Sequence, residues 1–402
     1  MPQILYNLLN NFLQFFEAFM FKQKYYTIID INSKDISAVV GSYDKNNKFN
    51  IVTNSCVSYE GYIDNEWVDD AQMQGVLKLA YDKATYNINC KISGIYVSVP
   101  SSFCHIDIRE NRCNFNKVQH IGTKEIFNLS DNQDMEIDNE YEFINSYPIY
   151  YTVDGHRRVL NPLGLDVKSL ALTSSYIYVE EKFSNFVRSV LKDYCNNIIF
   201  VPTIIANGHD LFNRDLREQG VIYCDIGYIN TDIAFLKGDG VMYLDSLHLG
   251  GGHIAYDISY GLSIPFETAC YVKDKLDFSS NGEEIITIST NDGDIEITQK
   301  YVNMIAESRI AEICARILEI IEKIDKNFSN YYKIYITGSG VSNIKGVRQL
   351  LSEFLNKPCD IKLSNLPDNK SHNMNGLVHY AKHDVINSQK SFIDKFKSVL
   401  NR

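Results

Sequence analysis

A chain of 402 residues is long enough to bury a large core and to hold two or more domains. Its formal charge of −11 argues against general nucleic-acid binding, and a hydrophobic content of 45% is ordinary for a soluble protein. The nine cysteines include no C-x-x-C pair, which excludes a zinc ribbon and fits a reducing cytoplasm.

Residues 4–21, "ILYNLLNNFLQFFEAFMF", predict an amphipathic helix. Ile4, Leu8, Phe12, Phe16 and Phe19 share one half of the wheel, and Asn7, Asn11, Gln14 and Glu17 share the other. The polar face is almost uncharged, unlike that of a surface-lying membrane helix, and a start at Met20 would remove the segment altogether. No cleavage site of small residues follows, so no secretory signal is predicted. No uninterrupted apolar run reaches about 18 residues, so no spanning helix is predicted.

From Lys24 the period changes. "YYTIIDI" and "ISAVVGSYD" read as strands joined at "NSKD", and "KFNIVTNSCVSY" reads as a third. "DDAQMQGVLKLAYDKATYN" reads as a helix with Val76, Leu77, Leu79 and Ala80 on its inner face, and "ISGIYVSVP" is again a strand. This order suits an α/β domain with helices packed on a mixed sheet. Residues 92–168 are strand-rich, carry a turn at "VDGHRR", and predict a small inserted domain. At 223–236, "YCDIGYINTDIAFL" repeats the earlier "IIDINSKDISAVV": an apolar strand ending in Asp, a turn, and a returning strand. The repeat implies a duplicated unit with a cleft between the copies. Asp225 and Asp232 bracket the second turn and suit a hydrated Mg²⁺ beside phosphates, although only Gly227 leaves backbone N–H groups open to close approach. That Asp30 and Asp225 only cap turns is the plainer alternative; their matched positions in a repeated unit weigh against it. Residues 300–328 read as a long helix. Gly338-Ser339-Gly340 then stands where a strand feeds a helix N-terminus, a place that favours a phosphate or adenosine group.

Strand–Asp–turn twice, followed by strand–T-G-x-G, resembles the element order of the actin-like ATPase superfamily. "PIYYTVDGHRRVLNPLGL" (148–165), "GGGHIAYDISYGLSIP" (250–265) and "MNGLVHYAK" (374–382) resemble motifs of the bacterial cell-division FtsA family, in one unbroken order from residue 24. The resemblance implies an α/β, actin-like two-lobed fold of duplicated ribonuclease-H-like domains. It adds a small inserted α+β domain and a C-terminal amphipathic helix. The implied divisions are an N-terminal extension (1–22), a first lobe (23–91 and 169–198), the insert (92–168), a second lobe (199–362, outer subdomain about 259–300), a return to the first lobe (363–382), and a linker and membrane helix (383–402).

Implied nucleotide-binding residues are Asp30, Ser33, Lys34, Asp225, Gly227, Thr231, Asp232, Gly251, Gly252, Lys273, Gly338, Ser339 and Gly340, with Asp30 and Asp225 facing Mg²⁺. The sequence departs from the family at the points that grip ATP. Asn32 replaces the glycine of the first loop, and Tyr228 and Ile229 replace two glycines of the second, where Tyr228 would crowd the γ-phosphate. Cys270 replaces the acid expected to hold the ribose, a loss of about 1.5–3 kcal/mol for one bond to a charged group. Weak ATP affinity and slow or absent turnover are therefore expected, with no catalytic residue assigned.

The last segment, "SFIDKFKSVLNR", places Phe392, Ile393, Phe396, Val399 and Leu400 within an arc of about 120° at 100° per residue. Lys395 and Lys397 flank it. Such a short basic helix suits an anionic lipid surface, as the family's membrane-targeting helix does; packing on its own body is the alternative. Five apolar side chains at about 1.5–3 kcal/mol each are largely offset by the entropy of ordering the segment, so stable attachment needs many copies. The resemblance thus implies a filament-forming adaptor holding the tubulin-like FtsZ, by its C-terminal peptide, at the cytoplasmic face of the cell membrane at the division site. A pilus-assembly actin-like scaffold and an actin-like-fold kinase are the alternatives.

Overall fold

The computed structural model describes residues 24–386 except 45, 47, 64–65, 131–139, 281, 291–292, 329–331 and 363–372. The expected helices at 4–21 and 392–400 lie outside the described residues. The chain lays down β1 (Tyr25–Ile31), β2 (Asp35–Tyr43), β3 (Phe49–Ser58) and the short hairpin β4 (Tyr62–Ile63) and β5 (Glu66–Trp67). After helix Asp70–Thr85 come β6 (Ile92–Val99), β7 (Cys104–His120), β8 (Tyr141–Val153), β9 (Arg157–Val159), β10 (Asp166–Glu180) and β11 (Ile198–Pro202). The rest comprises β12 (Val221–Ile226), β13 (Thr231–Lys237), β14 (Gly240–Leu247), β15 (Ile285–Thr290), β16 (Gly293–Thr298), β17 (Lys333–Thr337) and β18 (Cys359–Ile361).

Two five-stranded sheets have the same topology. The first runs β11-β6-β1-β2-β3 and the second runs β18-β17-β12-β13-β14. In each, the first strand pairs antiparallel with its hairpin partner and parallel with the fourth strand. The repeat read between residues 28–40 and 223–235 is thus a repeat of whole sheets. Register carries it to single residues: Asp30 stands opposite Ser37, and Asp225 stands opposite Asp232.

The inner strands are almost continuously buried because both faces of each sheet are covered. On one face of the first sheet, Ile29, Val97, Leu77 and Phe183 join helices Asp70–Thr85 and Glu181–Leu191. On the other, Ile28, Tyr96 and Val201 meet Leu377 and Ala381 of a helix at 374–386. In the second lobe, Ile222, Cys224 and Ile226 pack on Ile310, Ile317 and Ile324 of helix Gln299–Phe328. Helix Asp70–Thr85 turns inward along Met73, Leu77, Ala80, Tyr81 and Ala84. Leu79, expected on that face, is 44% exposed, because the i, i+4, i+7, i+8 stripe begins at Met73.

The small four-stranded sheet, β7-β10-β8-β9, differs from the expected 92–168 unit at both ends. Residues 92–99 form β6 and pair with β1, while β10 continues to Glu180. The small sheet also docks on the second lobe. Asp239 N donates to Pro148 O at 3.0 Å, and Val241 N donates to Ser175 Oγ at 3.1 Å. Tyr147 and Ile177 pack with Val221 and Tyr223 on the face of the second sheet turned away from the long helix.

Candidate functional site

The two Asp-bearing hairpins, β1–β2 and β12–β13, point their turns at each other across a cavity of about 430 Å³. Of the residues expected to bind nucleotide, Ser33, Lys34, Asp225, Gly227, Asp232, Lys273, Gly338, Ser339 and Gly340 line it; Asp30, Thr231, Gly251 and Gly252 do not. Asp30 is 0% exposed, and its Oδ2 accepts from Asn32 Nδ2 at 2.9 Å. The asparagine that replaces the loop glycine therefore lies on the cavity wall, with the carboxylate it engages fully buried.

The acids on the second hairpin carry charge at a disadvantage. Burial pushes the Asp225 carboxyl up to about 6, against the Tyr223 hydroxyl hydrogen bond that lowers it, and the neighbouring Asp30 charge adds to the rise. Burial likewise pushes Asp232 up to about 6, opposed by Ser246, whose Oγ donates to Asp232 Oδ1 at 2.7 Å. Lys273 is 8% exposed and its pKa is lowered by burial. Its Nζ donates to Gly340 O at 3.1 Å and lies 3.6 Å from Asp274. Cys270, at the place of the ribose acid, is half-buried, and burial raises its thiol. Among the described residues, no group of three or more His, Cys, Asp or Glu side chains is arranged to hold a metal ion.

The glycines of the site serve the chain's own backbone. Segments 226–228, 250–252 and 338–340 are joined by Gly251 N to Gly227 O (2.9 Å), Gly252 N to Tyr228 O (2.6 Å) and Gly340 N to Ile226 O (2.9 Å). A Cβ on Gly251 would stand 2.4 Å from Gly340 Cα, and one on Gly340 would stand 2.3 Å from Gly227 O. The donors expected to cradle phosphates are thus already paired with carbonyls of the second hairpin. Thr231 is turned away too, donating to Leu249 O at 2.7 Å. Nor does Gly338-Ser339-Gly340 feed a helix directly: residues 338–346 are irregular, and the next helix begins at Val347.

The hairpin turns also touch each other. Ile229 N donates to Ser33 Oγ at 3.4 Å, and Lys34 Nζ sits 5.0 Å from the centre of the Tyr228 ring. Behind them runs an amide chain: Asn207 Nδ2 donates to Asn373 Oδ1 (2.6 Å), and Asn373 Nδ2 donates to Asn32 Oδ1 (3.0 Å). Sequence reasoning missed Asn207 and Asn373, which come together across 166 positions. It also missed Tyr59 and Trp67, the single tryptophan, which lines the cavity and packs on Phe103 and Phe186.

A family model described as cell division protein FtsA matches residues 222–381. The chain is similar to the cell division protein FtsA of Staphylococcus epidermidis, 23% identical over 347 residues, covering 84% of this chain and 74% of that protein. It is similar to that of Buchnera aphidicola subsp. Schizaphis graminum, 23% identical over 404 residues, with coverage of 93% and 96%. Among solved structures, MreB5 of Spiroplasma citri bound to ADP aligns with a TM-score of 0.55 at 12% identity, over 92% of this chain and 98% of that one. A PilM-PilN type IV pilus biogenesis complex aligns at 0.52 and 12%, over 83% and 87%. The architecture is that of the actin-like fold.

Proposed function

From its sequence relationship to the FtsA cell-division proteins and its actin-like fold, we propose that this chain is a division adaptor. In this reading it polymerises and tethers the tubulin-like FtsZ ring to the cytoplasmic face of the membrane through Phe392, Ile393, Lys395, Phe396, Lys397, Val399 and Leu400. The observation that carries the reading is the similarity to FtsA over most of the chain's length, in one unbroken order. The outer part of the second lobe supplies a surface for the FtsZ peptide. Tyr256 (62% exposed) and Tyr260 (81% exposed) project from helix Gly251–Leu262, and Tyr301 and Met304 are exposed on helix Gln299–Phe328. Arg309 ties these two helices together through Asp257 at 2.6 and 2.9 Å, so the aromatics sit on a rigid base. Among the described residues no helix is long and apolar enough to cross a membrane.

ATP fits this cleft poorly. A nucleoside would meet Gly338, Ser339, Gly340 and Lys273, whereas the end expected to take the phosphates is lined by Tyr228 and Asn32. Of the two acids expected to face Mg²⁺, Asp225 lines the cavity with Asp232 opposite it, whereas Asp30 is fully buried and off the cavity wall. The reading is tested on the tail. Phe396→Glu is expected to abolish most co-sedimentation of the full-length protein with anionic vesicles, and removal of residues 388–402 is expected to abolish mid-cell fluorescence of a tagged protein. Unchanged lipid binding by F396E would show that the tail is not the anchor.

A further inference from the structure

The Tyr228 ring occupies a particular place. On one side it lies against the first turn of helix Gly251–Leu262, so close that a Cβ on Gly252 would stand 3.0 and 3.2 Å from its Cε2 and Cζ. On the other side the Lys34 ammonium faces it at 5.0 Å. The first N–H groups of that helix are already taken by Gly227 O and Tyr228 O, so the Lys34 ammonium is the positive group left facing the cleft for an anion. An aromatic ring fills the space between that helix and Lys34, held by cation–π attraction to the ammonium. One residue on, Ile229 N reaches across to Ser33 Oγ. Both contacts join the hairpin of the first lobe to that of the second.

We propose that Tyr228 is the specificity-determining residue of the cleft: its ring takes the seat of the terminal phosphates, and with Lys34, Ser33 and Ile229 it fastens the lobes together without nucleotide. The inference rests on the reading of this cavity as a degenerate nucleotide cleft. It reverses the usual order of ligands. A nucleoside needs only the end lined by Cys270, Lys273, Gly338–Gly340 and Asn343, which Tyr228 leaves open. A triphosphate must displace the ring, break its contact with Lys34 and open the joined turns. Adenosine is therefore favoured over ATP, and closure of the lobes is independent of either.

Trp67 lines the cavity and is the only tryptophan, so its fluorescence reports binding in the intact chain. Wild type, Tyr228→Gly and Tyr228→Ala are titrated with adenosine and with Mg²⁺–ATP, and calorimetry supplies a second readout. Wild type is expected to bind adenosine at least as tightly as ATP. Either variant should gain about tenfold or more in ATP affinity while adenosine affinity shifts by less than about threefold. Small-angle scattering should show wild type unchanged by ATP, and the variants compacting when it is added. A folded Y228G or Y228A with unimproved ATP affinity overturns the proposal, as does wild type preferring ATP by about tenfold. Binding of neither ligand by any form overturns it together with the nucleotide reading, while the tail experiments continue to decide the tethering role separately.

Discussion

Gly338→Ala is expected to cost the fold about 2–5 kcal/mol, among the largest losses open to a one-carbon change. Two causes add. Gly338 has φ +92°, a left-handed conformation that costs an L side chain about 1–2 kcal/mol. Its Cβ would also stand 2.2 Å from Ile226 O and 2.4 Å from Asp225 Oδ1, inside the knot where three backbone segments meet. The Ile226 carbonyl cannot swing aside, because it accepts from Gly340 N. An internal control separates the causes: Gly164 has φ +81° with nothing within 4 Å of an added Cβ, so G164A should lose only the conformational part. Urea midpoints of the two variants measure the difference. Equal losses would mean that close backbone approach is not what demands glycine at 338.

The hairpins that carry the site were legible because their signal is local. An apolar strand ending in Asp, a polar turn and a returning strand occur within about 13 residues, and the structure repeats that unit at sheet level. The small domain's edges were less legible. Nothing in "ISGIYVSVP" tells that it pairs in parallel with β1 across an intervening helix rather than opening the insert. The glycines were read as phosphate cradles because a sequence shows only that something approaches closely, not whether it is a ligand or the chain itself. Asn373 was invisible for another reason. Its bond to Asn32 spans 341 positions, and no local pattern marks an asparagine that will be delivered by a helix returning to the first lobe.

Asp225→Asn and Asp232→Asn are expected to stabilise the protein at neutral pH and to do nothing in acid. Each carboxyl has an ordinary value of 3.8 and is pushed up to about 6 in the fold. Between those values the folded state holds more protons than the unfolded chain, so stability falls as pH rises through that window and levels off above it. A shift of about two units corresponds to about 3 kcal/mol as an upper bound, and contact with cavity water reduces it to about 1–2 kcal/mol per group. Asparagine is neutral throughout, so D225N should gain that amount at pH 7.5, less at pH 5, and nothing near pH 4. Denaturation midpoints at the three values test this, and a D225N variant less stable than wild type at every pH would refute it. The sign bears on function. A cation beside Asp225 would favour its ionised form, so if Mg²⁺ binds there it raises the wild-type midpoint and leaves that of D225N nearly unmoved. The cleft would then retain its metal-facing half after its phosphate seat was filled by Tyr228, which separates the loss of triphosphate binding from the loss of the acids.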